Sequence, residues 1–226
     1  MIIVTGASRG IGLAIAERLT TQGREVLGLA RSVVEEATFE FRSADVTSDV
    51  TLRAIAKELK TDGRTPIALI NAAGIASMNL AMMTPASKVK SVVETNLLGT
   101  IYSCQAFAPL LIRGGQGSII NFSSIAVSLG LRGESVYAAS KSGVETFSRV
   151  FAREVAGHGI RVNCVAPGPI ATNLLKGVTS EQIDLITEQQ VIQRQFNVND
   201  VCDVVELLLD QRSTCISGQV LHIGGV

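Results

Sequence analysis

The stretch "IIVTGASRGIGLAIAERLTT", Ile2 to Thr21, decides the fold. Its first four residues are apolar or β-branched and read as a short buried strand. Further on, Ile11, Ile15 and Leu19 fall at four-residue steps, the spacing of one helix face, and predict a helix from near Gly10 to Thr21. Between the two, "TGASRGIG" places Gly6, Gly10 and Gly12. Their missing side chains permit a tight turn and let an anion such as a pyrophosphate approach the amino terminus of the helix. The spacing is TGxxxGxG rather than GxGxxG.

The same alternation continues outward. "EVLGLA", "TFEFRSADV", "IALIN", "SIINFSS", "IRVNCVAPG" and "QVLHI" read as further strands, and Asp49–Lys60 and Val198–Leu209 as amphipathic helices. Strands alternating with helices predict an α/β fold: a parallel, doubly wound sheet with helices on both faces. In such sheets ligands bind at the carboxyl ends of the strands, so "TGASRGIG", "ARS", "ADV", "NAAG", "SS" and "PGPIAT" are expected to converge on one crevice.

The chain of 226 residues reads as one domain, 1–226, without interior linker or repeat. Twenty basic and twenty acidic side chains cancel, which argues against nucleic acid or an anionic membrane surface as partner and for small molecules. Cys104, Cys164, Cys202 and Cys215 are scattered, with no zinc-type spacing, so no metal is expected and the thiols read as reduced in a cytoplasmic protein. The start "MIIVTGASRG" lacks the basic region and long apolar run of a signal peptide. The uncharged run Pro66–Ser87 is broken by Asn71, Gly74, Asn79 and Pro85, which fits strand plus loop better than a membrane span.

In "SVYAASKSGVETFSR", Tyr137 and Lys141 stand at i and i+4 of a predicted helix, so an ammonium can lie beside a phenol and lower its pKa from about 10. With "TGASRGIG", "NAAG", Asn96 in "TNLLGT", Ser124, "YAASK" and "PGPIAT", the chain resembles the short-chain dehydrogenase/reductase family over nearly its whole length, in its compact branch, close in pattern to 3-oxoacyl-thioester reductases. The resemblance implies a Rossmann fold with a seven-stranded sheet in the order 3-2-1-4-5-6-7. It also implies a catalytic tetrad. Ser124, with Ser123 as alternative, would hydrogen-bond the substrate oxygen, Tyr137 would transfer the proton, and Lys141 would tune Tyr137 and hold the nicotinamide ribose. Asn96 would open its helix around a water and extend a proton relay, the alternative being an amide satisfied by its own backbone.

The cofactor residues implied are Gly6, Ser8, Arg9, Gly10, Ile11 and Gly12 at the pyrophosphate, Asp45 and Val46 at the adenine, and Asn71, Ala72, Ala73 and Gly74 after the fourth strand. Tyr137 and Lys141 join them, and Pro167, Gly168, Ile170 and Thr172 would lie along the nicotinamide. Ala30 stands where relatives preferring NAD(H) carry an acid, and Arg31 follows it. Arg9 and Arg31 together suit a 2′-phosphate, so NADP(H) is expected over NAD(H).

Residues 173–195 would form a substrate lid, in which Leu175, Val178, Ile183 and Ile186 suggest an apolar pocket or ordinary helix packing. Relatives that use an acyl carrier protein carry arginines near Gly115 and His158, and Arg113 is displaced from both. The chain also departs from the family at Val191 and Val198, where prolines are common, and in "HIGG". The expected activity is interconversion of a ketone and a secondary alcohol, with a 3-oxoacyl thioester one candidate. The alternatives are NADP-dependent oxidation of a sugar, polyol or other small alcohol, and a non-catalytic nucleotide-binding regulator. The charge-free run Leu97–Ile112 predicts a helix needing cover on more than one side, by a neighbouring helix or by a partner subunit in a homodimer or homotetramer.

Overall fold

The computed structural model describes residues 1–32, 34, 37–170 and 179–226. Thr172, Leu175, Val178 and positions 173–178 of the expected lid lie outside the described residues. Seven strands form one parallel sheet in the order β3-β2-β1-β4-β5-β6-β7. They are β1 (Ile2–Thr5), β2 (Val26–Ala30), β3 (Glu40–Ser43), β4 (Ala68–Asn71), β5 (Gly117–Phe122), β6 (Ile160–Ala166) and β7 (Val220–His222). The main helices are α1 (Gly10–Thr21), α2 (Asp49–Thr61), α3 (Ala86–Val93), α4 (Gly99–Arg113), the short α5 (Ala126–Leu129), α6 (Ser135–Val155), α7 (Ser180–Glu188) and α8 (Val198–Leu209).

Strand residues alternate between two cores, as a pleated strand requires. Ile2, Val4, Ile70 and Ile120 join Ile15 and Leu19 of α1 and Val201, Val205 and Leu208 of α8 on one face. Ile3, Leu69 and Ile119 join Leu52 and Leu59 of α2, Phe107 and Leu111 of α4 and Val155 of α6 on the other. Each fully buried aliphatic side chain contributes about 1.5–3 kcal/mol, so the two cores hold the sheet from both sides. β3 is the exposed edge, and its Glu40 and Arg42 pair with Arg64 and Glu58, charges that blunt the unpaired edge.

β3 ends at Ser43 rather than running on to Val46. Asp45 leaves the ladder and closes a turn, its Oδ1 accepting from the backbone N and Oγ1 of Thr47, both at 2.9 Å. The charge-free helix also needs less outside cover than its composition suggests. α4 packs against α2 and α6 of the same chain, and most of it is buried.

Candidate active site

The loops after strands β1 to β6 line one cleft of about 590 Å³. At its centre β1 turns into α1. Gly6 has φ +71°, and a Cβ there would lie 2.7 Å from Ala73 Cα. Gly12 abuts the carbonyl of Gly6 so closely that no Cβ fits. These two glycines are demanded by the protein's own backbone, a reason additional to ligand approach. Arg9, the residue before α1, gives the helix no side-chain cap, and its first turn holds no acidic residue. Its first N–H groups are therefore unpaired within the helix and, at Gly10, Ile11 and Gly12, lie on the cleft wall, where they fit a pyrophosphate.

Ser8, Arg9, Arg31, Asp45, Val46, Ala72, Ala73, Gly74, Pro167, Gly168 and Ile170 also line the cleft. Arg9 and Arg31 are both exposed on its rim. Arg31 Nη1 lies 3.9 Å from Asp45 Oδ2. Ala30 offers no carboxylate there.

Ser124, Tyr137 and Lys141 meet deeper in the cleft. Ser124 Oγ accepts from Ala126 N at 3.2 Å, and Ser124 lies near enough to Tyr137 to pull its phenol's pKa down. Ser123 points elsewhere, its hydroxyl donating to Glu145 Oε1 at 2.6 Å. The expectation that Lys141 lowers the phenol's pKa is not met. Burial pushes Tyr137 up to about 12, against a smaller downward pull from Ser124, and the Glu134 carboxylate adds to the rise. Lys141 Nζ instead donates to the Phe122 carbonyl at 2.7 Å, lies 6.0 Å from the centre of the tyrosine ring, and is brought down to about 8 by burial.

Two expected site residues stand outside the cleft. Asn71 is buried behind it, donating to Asn121 Oδ1 at 2.8 Å. Asn96 sits in a five-residue π-turn, Glu94–Leu98, that interrupts the path from α3 to α4, so the helix is widened at this residue. Its Oδ1 accepts from Ile75 N at 2.8 Å, and its Nδ2 donates to Ile75 O at 2.9 Å and Ser140 Oγ at 3.0 Å. The amide is satisfied by the loop after β4 and by Ser140, not by its own helix. Ser140 Oγ in turn donates to the Tyr137 carbonyl at 2.7 Å, which ties Asn96 to the backbone of the tyrosine. A Cβ on Gly74 would meet Asn96 Oδ1 at 3.4 Å and Lys141 Nζ at 3.5 Å, so the bare backbone of Gly74 lies against both groups.

Sequence reasoning missed Glu134. It lines the cleft just before α6, and burial holds its carboxyl above the usual range. Its place three residues ahead of Tyr137, nearly one helical turn, was the available signal. From α7, Gln182, Leu185, Ile186 and Gln189 also line the cleft, a mixed polar and apolar wall.

A doubly wound parallel sheet with an uncapped helix amino terminus at its crevice, and a Ser, Tyr and Lys converging beside it, belongs to the dinucleotide-binding oxidoreductases. The chain is a member of the short-chain dehydrogenase/reductase family: a family model described as Enoyl-(Acyl carrier protein) reductase matches residues 6–225. It is 32% identical to the 3-oxoacyl-[acyl-carrier-protein] reductase FabG of Escherichia coli K12 over 231 residues, covering 99% of this chain and 95% of the relative. The FabG of Vibrio cholerae serotype O1 is 34% identical over the same length, with 99% and 95% covered. The ligand-free aldohexose dehydrogenase (AldT) of Thermoplasma acidophilum superposes with a TM-score of 0.90 at 29% identity, covering 99% of this chain and 92% of that one.

Proposed function

We propose that this chain is an NADP(H)-dependent oxidoreductase that reduces a ketone to a secondary alcohol, with a 3-oxoacyl thioester the leading substrate. The observation that carries the reading is the convergence of Ser124, Tyr137 and Lys141 in the same cleft as the glycine turn. The nicotinamide supplies hydride when bound, and the protein's part is orientation and the proton. Ser124 donates to the substrate oxygen, and Tyr137 Oη gives that oxygen its proton. A phenol pushed up to about 12 keeps its proton throughout the physiological range, so the site stands ready as an acid for reduction. In the oxidative direction the same oxygen must first lose that proton, and turnover is expected to rise with pH.

The α1 amino terminus would hold the pyrophosphate, Arg9 and Arg31 the 2′-phosphate, Asp45 and Val46 the adenine, and Pro167, Gly168 and Ile170 the nicotinamide. The 3-oxoacyl substrate is supported by the names of the bacterial relatives. With no arginine at Gly115 or His158 and Arg113 displaced from both, the chain would meet an acidic carrier protein with weak electrostatic attraction, so a free thioester is the better first substrate.

One observation favours a second reading, oxidation of a sugar or polyol. The Glu134 carboxyl in the cleft can accept hydrogen bonds from substrate hydroxyls, and a structural neighbour is an aldohexose dehydrogenase. Both readings are tested by following nicotinamide absorbance with short 3-oxoacyl thioesters, simple ketones, aldoses and polyols, with either cofactor, in wild type and Tyr137→Phe. Turnover of thioesters or ketones that falls at least about a hundredfold in the variant, with cofactor Kd unchanged, is expected. Near-normal turnover in Tyr137→Phe would remove the tyrosine as acid. Silence on every substrate would leave a nucleotide-binding regulator.

A further inference from the structure

Three successive residues at the end of β5 are each held by α6. Asn121 Nδ2 donates to Ser148 Oγ at 2.7 Å, the Phe122 carbonyl accepts from Lys141 Nζ at 2.7 Å, and Ser123 Oγ donates to Glu145 Oε1 at 2.6 Å; the next residue, Ser124, lies beside Tyr137. The partners at 137, 141, 145 and 148 recur at helical spacing and share one face of α6.

Tyr137, Lys141 and Ser124 have roles in the proposed chemistry. Glu145 has none, yet it is a carboxylate only 8% exposed, and Ser123 beneath it is 3% exposed. A buried carboxylate is costly to desolvate, and a core position facing a sheet is ordinarily apolar. Its other oxygen lies 3.8 Å from the exposed Arg149 guanidinium. The short, charge-assisted bond to Ser123 is therefore its main internal partner. Ser123 engages Glu145 while the adjacent Ser124 lies beside Tyr137, both on one face of α6. Rotation of the strand end about its own axis would turn both hydroxyls and the Phe122 carbonyl together, and the Glu145 bond opposes that rotation.

We propose that Glu145 is a positioning residue for the reaction: by gripping Ser123 it fixes the end of β5 that aims Ser124 at the Tyr137 oxygen and the Phe122 carbonyl at Lys141. The inference rests on the reading that Ser124 and Tyr137 carry the chemistry.

Glu145→Ala is expected to lower kcat by roughly ten- to a hundredfold, the range for losing one hydrogen bond to a charged group, with cofactor Kd and substrate KM within about threefold. Glu145→Gln, whose amide oxygen can still accept from Ser123, is expected to restore most of the loss. In a Ser124→Ala background, Glu145→Ala is expected to cost less than about threefold more, because the residue it positions has gone. Should Glu145→Ala not fold, Ser123→Ala removes the same bond by deleting one oxygen and carries the same expectations. Wild-type kcat in Glu145→Ala would overturn the inference. So would an undiminished loss in the Ser124→Ala background, or no rescue by a folded Glu145→Gln, either of which marks Glu145 as support for the fold alone. Full turnover by Ser124→Ala would instead overturn the reading of the chemistry on which the inference rests.

Discussion

Lys141 is 5% exposed, and burial brings its pKa from an ordinary 10.5 down to about 8. Between about pH 8 and 10.5 the unfolded chain holds a proton that the folded chain has released, so this residue makes stability rise with pH across that window. Below about 8 both states are protonated and the full cost of the buried ammonium stands, about 3 kcal/mol at roughly 1.4 kcal/mol per pH unit. Lys141→Met is therefore expected to raise Tm at pH 7 by a few degrees, about 2–6 °C once the orphaned Phe122 carbonyl has taken back part of the gain. The difference should shrink as pH approaches 10, while turnover is lost. Melts at pH 7 and 10 check this, and a variant less stable than wild type at both would contradict it. Arg31 makes the second residue-scale case. A 2′-phosphate would displace its long contact with Asp45, and one charge-assisted bond is worth about 1.5–3 kcal/mol before solvent screening. Arg31→Ala is expected to weaken NADPH binding by roughly tenfold at low salt and to leave NADH almost unchanged, and Ala30→Asp to move the preference toward NADH. Titration with both cofactors decides it: equal affinities in wild type would reduce Arg31 to a solvated surface residue.

The elements were the most legible part of the sequence where a period or a glycine dictated them. α1 and α8 have the bounds that their apolar steps predicted, and β1 is the all-buried strand its composition requires. The carboxyl-terminal bound of β3 was half legible: 44–46 read both as the end of the strand and as a fragment at the crevice, and they leave the ladder for the cleft. Nor does a motif say which way its side chains point. Asn71 pairs in register with Asn121, so the two amides meet inside the protein and not in the cleft. Asn96 faces the loop after β4 because the π-turn rotates it there. Glu145 was within reach, since extending the Tyr137–Lys141 spacing by one more turn lands on it. The structure also gives Gly12 a role at this scale that pyrophosphate binding alone does not. Gly12→Ala would gain helix propensity of about 0.5–1 kcal/mol but force a methyl against the Gly6 carbonyl, and overpacking of that kind costs about 1–3 kcal/mol. A net fall in Tm of a few degrees and a weakened cofactor Kd are expected. Gly157→Ala, at a site with nothing within 4 Å and no positive φ, is expected to change neither. Equal behaviour of the two variants would show that the turn tolerates the methyl.

At the scale of the whole molecule the open question is what meets its remaining apolar surface. Among the described residues no helix is long and apolar enough to cross a membrane. α4, charge-free up to Ile112, spends much of its surface on α2 and α6 of its own chain, so the case for a partner subunit passes to what those helices leave outside. On α6 that is a stripe at 147, 150 and 151, three and four residues apart. Phe147 and Phe151 stack there with ring centres 5.2 Å apart, and Val150 is 51% exposed. On α4 the neighbouring outward positions are Gln105 and Pro109, which carry no charge to repel a second copy. This apolar stripe, flanked by the exposed Arg149, Arg153 and Glu154 on the helix that carries Tyr137 and Lys141, suits an isologous contact with a second copy of the chain. We therefore expect a homodimer or a tetramer built through α4 and α6. Sedimentation at micromolar concentration should give a species at least twice 23.8 kDa. Val150→Glu should convert it toward the monomer, because two carboxylates would face each other across the symmetric contact and lose their solvation there. A wild-type chain sedimenting only at 23.8 kDa would refute the assembly, and an unchanged oligomer in Val150→Glu would move the contact away from α6.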